Sequence, residues 1–284
     1  MMTKYKLIAL DIDGTLANSV GRITTRTKEI VHRVAQAGAT IVVATGRRFI
    51  TAKPRVLQLD FPDLLLAAHN GAILKRLNGE LLHHQLLPCN VAKRVVQISK
   101  ELGLRPVVFE GTQDSANLFV EDYGDKLDGW ERGYLEENKA HLKWVDDLAN
   151  DLPGDVIEVI SVVPAEKAHE IAAIFQTRLN GQVKPILVII NNGRHAFLGL
   201  SHAKVGKDLP LRYLAEKMEI HPSEILAIGD NYNDLDMLKF AGTGVIMENA
   251  DEALKQEGFY VTSSNDTDGV AEALEQFVLS GDSI

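Results

Sequence analysis

Two aspartates spaced by one residue, Asp11 and Asp13, stand directly behind the apolar run Leu7-Ile8-Ala9-Leu10 and ahead of Gly14-Thr15-Leu16. Strand residues i and i+2 project to the same side. Carboxylates held that close repel, so they need a metal, a cationic partner or a shared proton. Gly14 lets the chain turn sharply and leaves backbone amides free to face an anion. The layout suits an aspartate nucleophile beside an acid/base aspartate. A lone Asp-x-Asp-Gly is also an ordinary strand-end turn, so the rest of the chain must decide.

Three more groups follow in order. Thr45-Gly46-Arg47 comes just past the apolar run 40–44, Lys207 stands near a helix start, and Gly229-Asp230-Asn231-Tyr232-Asn233-Asp234 follows the apolar run 225–228. A phosphoryl group in transit carries spread negative charge and calls for positive partners and in-line geometry. Asp11 and Asp230, with Asp13 and Asp234, are hard oxygen donors suited to Mg²⁺, which lets an anionic nucleophile approach an anionic phosphate. Lys207 and Thr45 would hold the phosphate oxygens. Each group alone is a common turn, cap or solvated lysine. All four in this order are hard to explain as turns.

These groups need a scaffold that gathers strand ends. Strands are expected at 6–11, 40–44 and 64–68, alternating with helices at 25–37 and 49–57, which is the rhythm of a parallel sheet covered on both faces. Asn78-Gly79 between 72–74 and 81–82 signals a hairpin. From Leu86 to His195 the pattern is less regular, with an alternating strand at 156–163, a helix at 166–179 and a strand at 183–190. After Leu200 the parallel rhythm resumes: helix 207–218, strand 225–228, helix 233–240, a strand around Val245, and helix 269–279. The expected architecture is α/β, a Rossmann-like parallel-sheet core formed by 1–85 and 196–284, with an α+β cap domain inserted at 86–195. In such a sheet all four groups fall at strand carboxyl ends.

The 284 residues carry a net charge of −9 with one cysteine, Cys89. That balance argues against nucleic acid or an anionic membrane as partner, and one cysteine makes no disulfide framework or thiolate cluster. Cys89 reads as structural. With no signal-peptide core and no apolar run long enough to span a bilayer, a cytoplasmic location is expected. The insertion holds 12 Lys/Arg against 17 Asp/Glu, so it is no general anion platform. His83-His84 face opposite ways on a strand and read as solvated rather than metal-binding. Trp130 and Trp144 read as core of the insertion, Arg47 as a residue that faces the site or the solvent, Arg48 as a surface residue, and Asn70 as a turn near the site.

The ordered set, Asp11–Leu16, Thr45–Arg47, Asn70-Gly71-Ala72, the insertion, Lys207 and Gly229–Asp234, resembles the haloacid dehalogenase superfamily, in its Cof-type sugar-phosphatase-like branch. Ala241-Gly242 and Met247-Glu248-Asn249-Ala250 are similar to that branch too. The resemblance implies Asp11 as a nucleophile that becomes an aspartyl-phosphate. It implies Asp13 as the group that protonates the leaving oxygen and then activates water. The amides of Ile12 and Gly46, the Thr45 hydroxyl, Asn233 and Lys207 would cradle the phosphate. Metal would be held by the Asp11 carboxylate, the Asp13 backbone carbonyl and Asp230, with Asp234 directly or through water. One departure is that Lys207 precedes Asp208 where the branch usually has glycine; Lys204 is the other lysine in reach.

The expected function is therefore a Mg²⁺-dependent phosphatase of small phosphorylated metabolites such as sugar phosphates, nucleotides or phosphorylated cofactors. The alternatives are a phosphomutase of the same superfamily and a non-enzymatic phospho-binding or regulatory protein. Neither the physiological substrate nor the oligomeric state is encoded in any motif.

Overall fold

In the computed structural model, the structure describes residues 3–111, 117–152 and 154–280; the outermost ends of the expected core, 1–2 and 281–284, lie outside them. The chain divides into two compact units, Met1–His83 with Gly206–Ile284, and His84–Val205.

The first unit is built on eight strands in the order Tyr260–Thr262, Thr243–Met247, Ile225–Gly229, Leu7–Leu10, Thr40–Ala44, Leu65–Ala68, Ile73–Arg76 and Leu81–His84. The first six pair in parallel, and Leu65–Ala68 meets Ile73–Arg76 antiparallel. All four residues of Leu7–Leu10 are buried, as a near-continuous apolar run in a parallel sheet requires. Thr40–Ala44 lies on one side of that strand and Ile225–Gly229 on the other, so the chain order reverses there. A crevice opens outside the carboxyl ends at such a point. Leu10 is in register with Ile228 and with Val43, which brings Asp11, Gly229-Asp230 and Ala44-Thr45 off the sheet side by side.

Helix Thr25–Gln36 is capped by Thr24, whose side chain accepts from the Thr27 N–H. It buries Thr27, Ile30, Val31 and Val34, one stripe at helical spacing. Helix Asp208–Lys217 packs Leu211 and Leu214 into the core with Leu7, Ala9, Val42 and Ala44. The last helix, expected to run to 279, is α-helical only over Gly269–Leu274 and continues as a wider π-turn at Glu275–Leu279.

The second unit carries six strands in the order Val183–Ile190, His195–His202, Glu158–Pro164, Val107–Phe109, Leu118–Val120 and Leu142–Trp144. Its pairs are antiparallel except the one between Leu118–Val120 and Leu142–Trp144. Residues 84–85 and 196–205 group with this unit, beyond the 86–195 expected from sequence. The reason is pairing: His195–His202 is laddered with Val183–Ile190 on one side and Glu158–Pro164 on the other. Helices Cys89–Glu101 and Ala168–Arg178 contribute Val91, Val95 and Phe175 to a core with Val159, Val163 and Leu198. Cys89 is a free thiol packed against that core.

Three sequence readings of single residues change. Trp130 joins Tyr134 and Phe197 in an aromatic group with centroids 5.0–5.8 Å apart, but Trp144 is 57% exposed on the edge strand. His83 is no solvated histidine: its ring stacks on Tyr213 at 4.5 Å. Arg48 is half-buried rather than at the surface. Among the described residues no helix is long and apolar enough to cross a membrane.

Candidate active site

Asp11 leaves the central strand only 5% exposed. Its Oδ1 accepts from Lys207 Nζ at 2.6 Å, and the same ammonium donates to Asp234 Oδ1 at 2.5 Å. Lys207 is 1% exposed, held there by the turn that opens helix Asp208–Lys217. Lys204, the other lysine in reach, is exposed. Asp234 is fixed from its other side, where Oδ2 accepts the backbone N–H groups of Asp230 and Asn231 at 3.0 and 2.9 Å. Asp230 in turn accepts from the Thr15 hydroxyl at 2.7 Å.

Carboxylate oxygens of Asp11, Asp230 and Asp234 all lie within 4.8 Å of one another. One ammonium among three carboxylates, two of them buried and Asp230 partly so, leaves excess negative charge. Burial lifts the Asp11 carboxyl well above its usual range, Lys207 opposes the rise, and Asp234 and Asp230 add to it. Burial likewise pushes Asp230 up to about 6, against the Thr15 hydrogen bond and with help from Asp234. Burial disfavours the charged Lys207, but Asp11 and Asp234 outweigh it and hold its pKa above the ordinary lysine value. The oxygen donor set and its unbalanced charge fit a hard divalent cation.

The loop after the strand permits this crowding only because residue 14 is glycine. Gly14 has φ +83°, and a Cβ there would stand 2.2 Å from Asp230 Oδ2. The Asn249 side chain clasps the Gly14 carbonyl at 2.9 Å.

Asp13 is not part of the carboxylate group. Its side chain turns to Arg47, which forks onto it with Nε–Oδ2 2.5 Å and Nη2–Oδ1 2.7 Å. That hydrogen bonding raises the Arg47 pKa despite partial burial. Arg47 thus faces the site. Beside Asp13 and Gly14 a cleft of about 670 Å³ opens, lined also by Asn18, Ser19, Arg55 and Asn265.

Beside Arg47, Thr45 is buried and its hydroxyl accepts from the Arg47 N–H at 3.2 Å. Among the described residues the amides of Ile12 and Gly46 donate to no other group of the protein. Asn233 Nδ2 donates to Asn70 Oδ1 at 2.9 Å, and the Asn70 N–H donates to the Thr45 carbonyl. The sequence reading placed Asn70 in a turn near the site and gave it no partner there. Its signal was an Asn-Gly pair behind a parallel strand, which is also plain turn chemistry. The sequence-selected residues therefore fall into three groups: Asp11, Lys207, Asp230 and Asp234 together, Asp13 with Arg47, and Thr45, Gly46 and Asn233 joined through Asn70.

A profile of haloacid dehalogenase-like hydrolases matches residues 8–274, nearly the whole chain. The chain belongs to this family. It is similar to the 5-amino-6-(5-phospho-D-ribitylamino)uracil phosphatase YitU of Bacillus subtilis, with 28% identity over 98% of this chain and 99% of that one. It is also similar to phosphatase YwpJ of the same organism, at 27% identity over 96% and 100% of the two chains. A haloacid dehalogenase-like hydrolase from Bacteroides thetaiotaomicron superposes with TM-score 0.75 at 31% identity, over 96% of this chain and 99% of that one. The fold of a subclass IIB sugar phosphatase, BT4131, matches with TM-score 0.72. The protein is a phosphatase of this family, with a parallel-sheet core and a separate mixed-sheet cap.

Proposed function

We propose that this phosphatase hydrolyses small phosphorylated metabolites with Mg²⁺ through an aspartyl-phosphate on Asp11. The observation that carries the reading is the buried Lys207 ammonium held between Asp11 and Asp234, with Asp230 beside them, a set of three carboxylates two positive charges short of balance. Asp11, Asp230 and Asp234, with the Asp13 carbonyl, would hold the metal, which when bound offsets charge between nucleophile and phosphate.

The chain's own groups divide the rest of the work. Lys207 fixes one Asp11 oxygen and leaves the other without a donor among the described residues, available to attack phosphorus. The Thr45 hydroxyl, the free amides of Ile12 and Gly46, Lys207 and Asn233 hold the phosphoryl oxygens. As the P–O bond breaks, Asp13 gives a proton to the leaving oxygen, then takes one from the water that attacks the aspartyl-phosphate. Arg47 must first release Asp13, because its fork occupies both carboxylate oxygens. The alcohol part of the substrate then has the polar cleft beside Asp13 in which to sit.

The test is a phosphate-release screen with Mg²⁺ over sugar phosphates, nucleotides, flavin mononucleotide, pyridoxal phosphate and 5-amino-6-(5-phospho-D-ribitylamino)uracil, the compound in YitU's name. Turnover of at least one, lost with Asp11→Asn and with chelator, is the expected result. Isomerised ester without free phosphate would instead identify a phosphomutase, and no turnover of any ester would remove the enzymatic reading.

A further inference from the structure

Asn70 is 6% exposed, yet its side-chain amide is only half used. Oδ1 accepts from Asn233 at 2.9 Å, while Nδ2 has no acceptor among the described residues and is not sealed from solvent. The backbone holds the residue firmly: φ is +53°, ψ is +33°, and its N–H donates to the Thr45 carbonyl at 2.9 Å. The amide also lies against Gly46. A Cβ on that glycine would be 3.1 Å from Asn70 Oδ1 and 3.4 Å from Nδ2. A buried amide, pinned on three sides, therefore presents an unused N–H₂ next to the free Gly46 amide.

We infer that Asn70 Nδ2 is a phosphate donor, hydrogen-bonding a nonbridging oxygen of the phosphoryl group. Asn233 also acts through Asn70 as a positioning residue, since its N–H on Oδ1 selects which way the Asn70 amide points. Reversing both amides would keep the Asn70–Asn233 bond but aim a carbonyl oxygen at the anion. The inference rests on the functional reading above and adds a residue to it. It also fits the choice of asparagine at this position, because a side chain that tolerates positive φ and carries two donors meets both demands.

Two variants separate donation from mere architecture. Asn70→Gly keeps the positive-φ turn and removes the amide. Asn70→Asp keeps an acceptor for Asn233 and replaces the donor with an anionic oxygen. Each is measured for kcat/KM on p-nitrophenyl phosphate and for the rise in thermal midpoint that inorganic phosphate gives with Mg²⁺. Asn70→Gly is expected to lose about 10–100-fold in kcat/KM, the range of one charge-assisted hydrogen bond. Asn70→Asp is expected to lose more, and both to lose the phosphate-induced stabilisation seen in wild type. Wild-type-like phosphate binding and at least half the kcat/KM in Asn70→Asp would reduce Asn70 to an anchor for Asn233 and overturn the inference. So would unchanged values in Asn70→Gly, or a wild type that phosphate does not stabilise. If wild type binds phosphate but hydrolyses no ester, the functional reading fails while the binding comparison still decides the role of Asn70.

Discussion

Each of the two units buries carboxylates, and they treat them in opposite ways. In the inserted unit Glu131 is 5% exposed but matched: Arg105 Nε reaches both its oxygens at 2.8 Å, and the Asp128 N–H adds a third bond at 2.9 Å within a helix capping box. In the core, Asp11, Asp230 and Asp234 share one lysine. A matched buried pair is architecture whose desolvation cost its own geometry offsets. An unmatched cluster needs something from outside the chain. The contrast marks the core cluster, and not the Glu131 pair, as the candidate site without any reference to motif.

The sharpest way to break this contrast is to remove charge from the core. Asp11→Asn should lower kcat by at least about a thousandfold, because an amide is a poor nucleophile. The same change relieves repulsion, so the metal-free thermal midpoint should hold or rise. Activity above a tenth of wild type would exclude covalent catalysis through Asp11. Lys207→Met should act oppositely on stability. It strips the only ammonium from the cluster and should cost about 3–5 kcal/mol in denaturant titrations without metal. An unchanged midpoint would mean that the lysine does not hold the carboxylates together.

pH offers a milder probe. The folded protein binds the Asp230 proton up to about pH 6, whereas an unfolded chain releases it near pH 4. Metal-free stability should therefore fall as pH rises across that window, by about 2–3 kcal/mol, with Asp11 adding in the same direction. Saturating Mg²⁺ should reverse the slope, because a cation that needs ionised ligands competes with those protons. Parallel slopes with and without Mg²⁺ would argue that the cluster binds no metal.

The smallest effect belongs to the matched pair. Arg105→Met leaves Glu131 buried without its cation and should cost about 1–3 kcal/mol. Adding Glu131→Leu should restore most of that loss, as replacing both partners of a buried pair often does. Failure of the double variant to recover would show that Glu131 answers to more than Arg105.

Much of this arrangement was legible in the residues. The apolar runs 40–44 and 183–190 became strands with the expected limits: burial leaves 40–44 little choice of register, whereas 183–190 lies largely half-exposed at a sheet edge and is set by its ladder with 195–202. Three of the four site groups could be read because each follows an apolar run, and Lys207 because it opens a helix. What could not be read depends on distant approach. His195–His202 carries no polar side chain from Ala196 to Leu200 and so reads like a strand of either sheet, and only its ladders with 158–164 and 183–190 assign it to the insertion. The fork of Arg47 on Asp13 and the bond between Asn70 and Asn233 join residues 34 and 163 positions apart, beyond any local pattern. Trp144 misled because aromatic bulk suggests a core, whereas a three-residue edge strand offers none.

The strand Leu7–Leu10 has Ile225–Gly229 as one of its two neighbours, and this pairing imposes a timetable on the ribosome. Translation runs at about 5–20 residues per second, so that edge of the strand stays open for roughly ten to forty seconds after it is made. The inserted unit, His84–Val205, is contiguous and has its own hydrophobic core. It can therefore finish folding while the nascent core still waits for its second segment, Gly206–Ile284. Asp11 is synthesised 196 residues ahead of its lysine. A prematurely terminated chain would thus display the Asp11 carboxylate without the lysine that grips it, along with an unpaired strand edge that chaperones must shield.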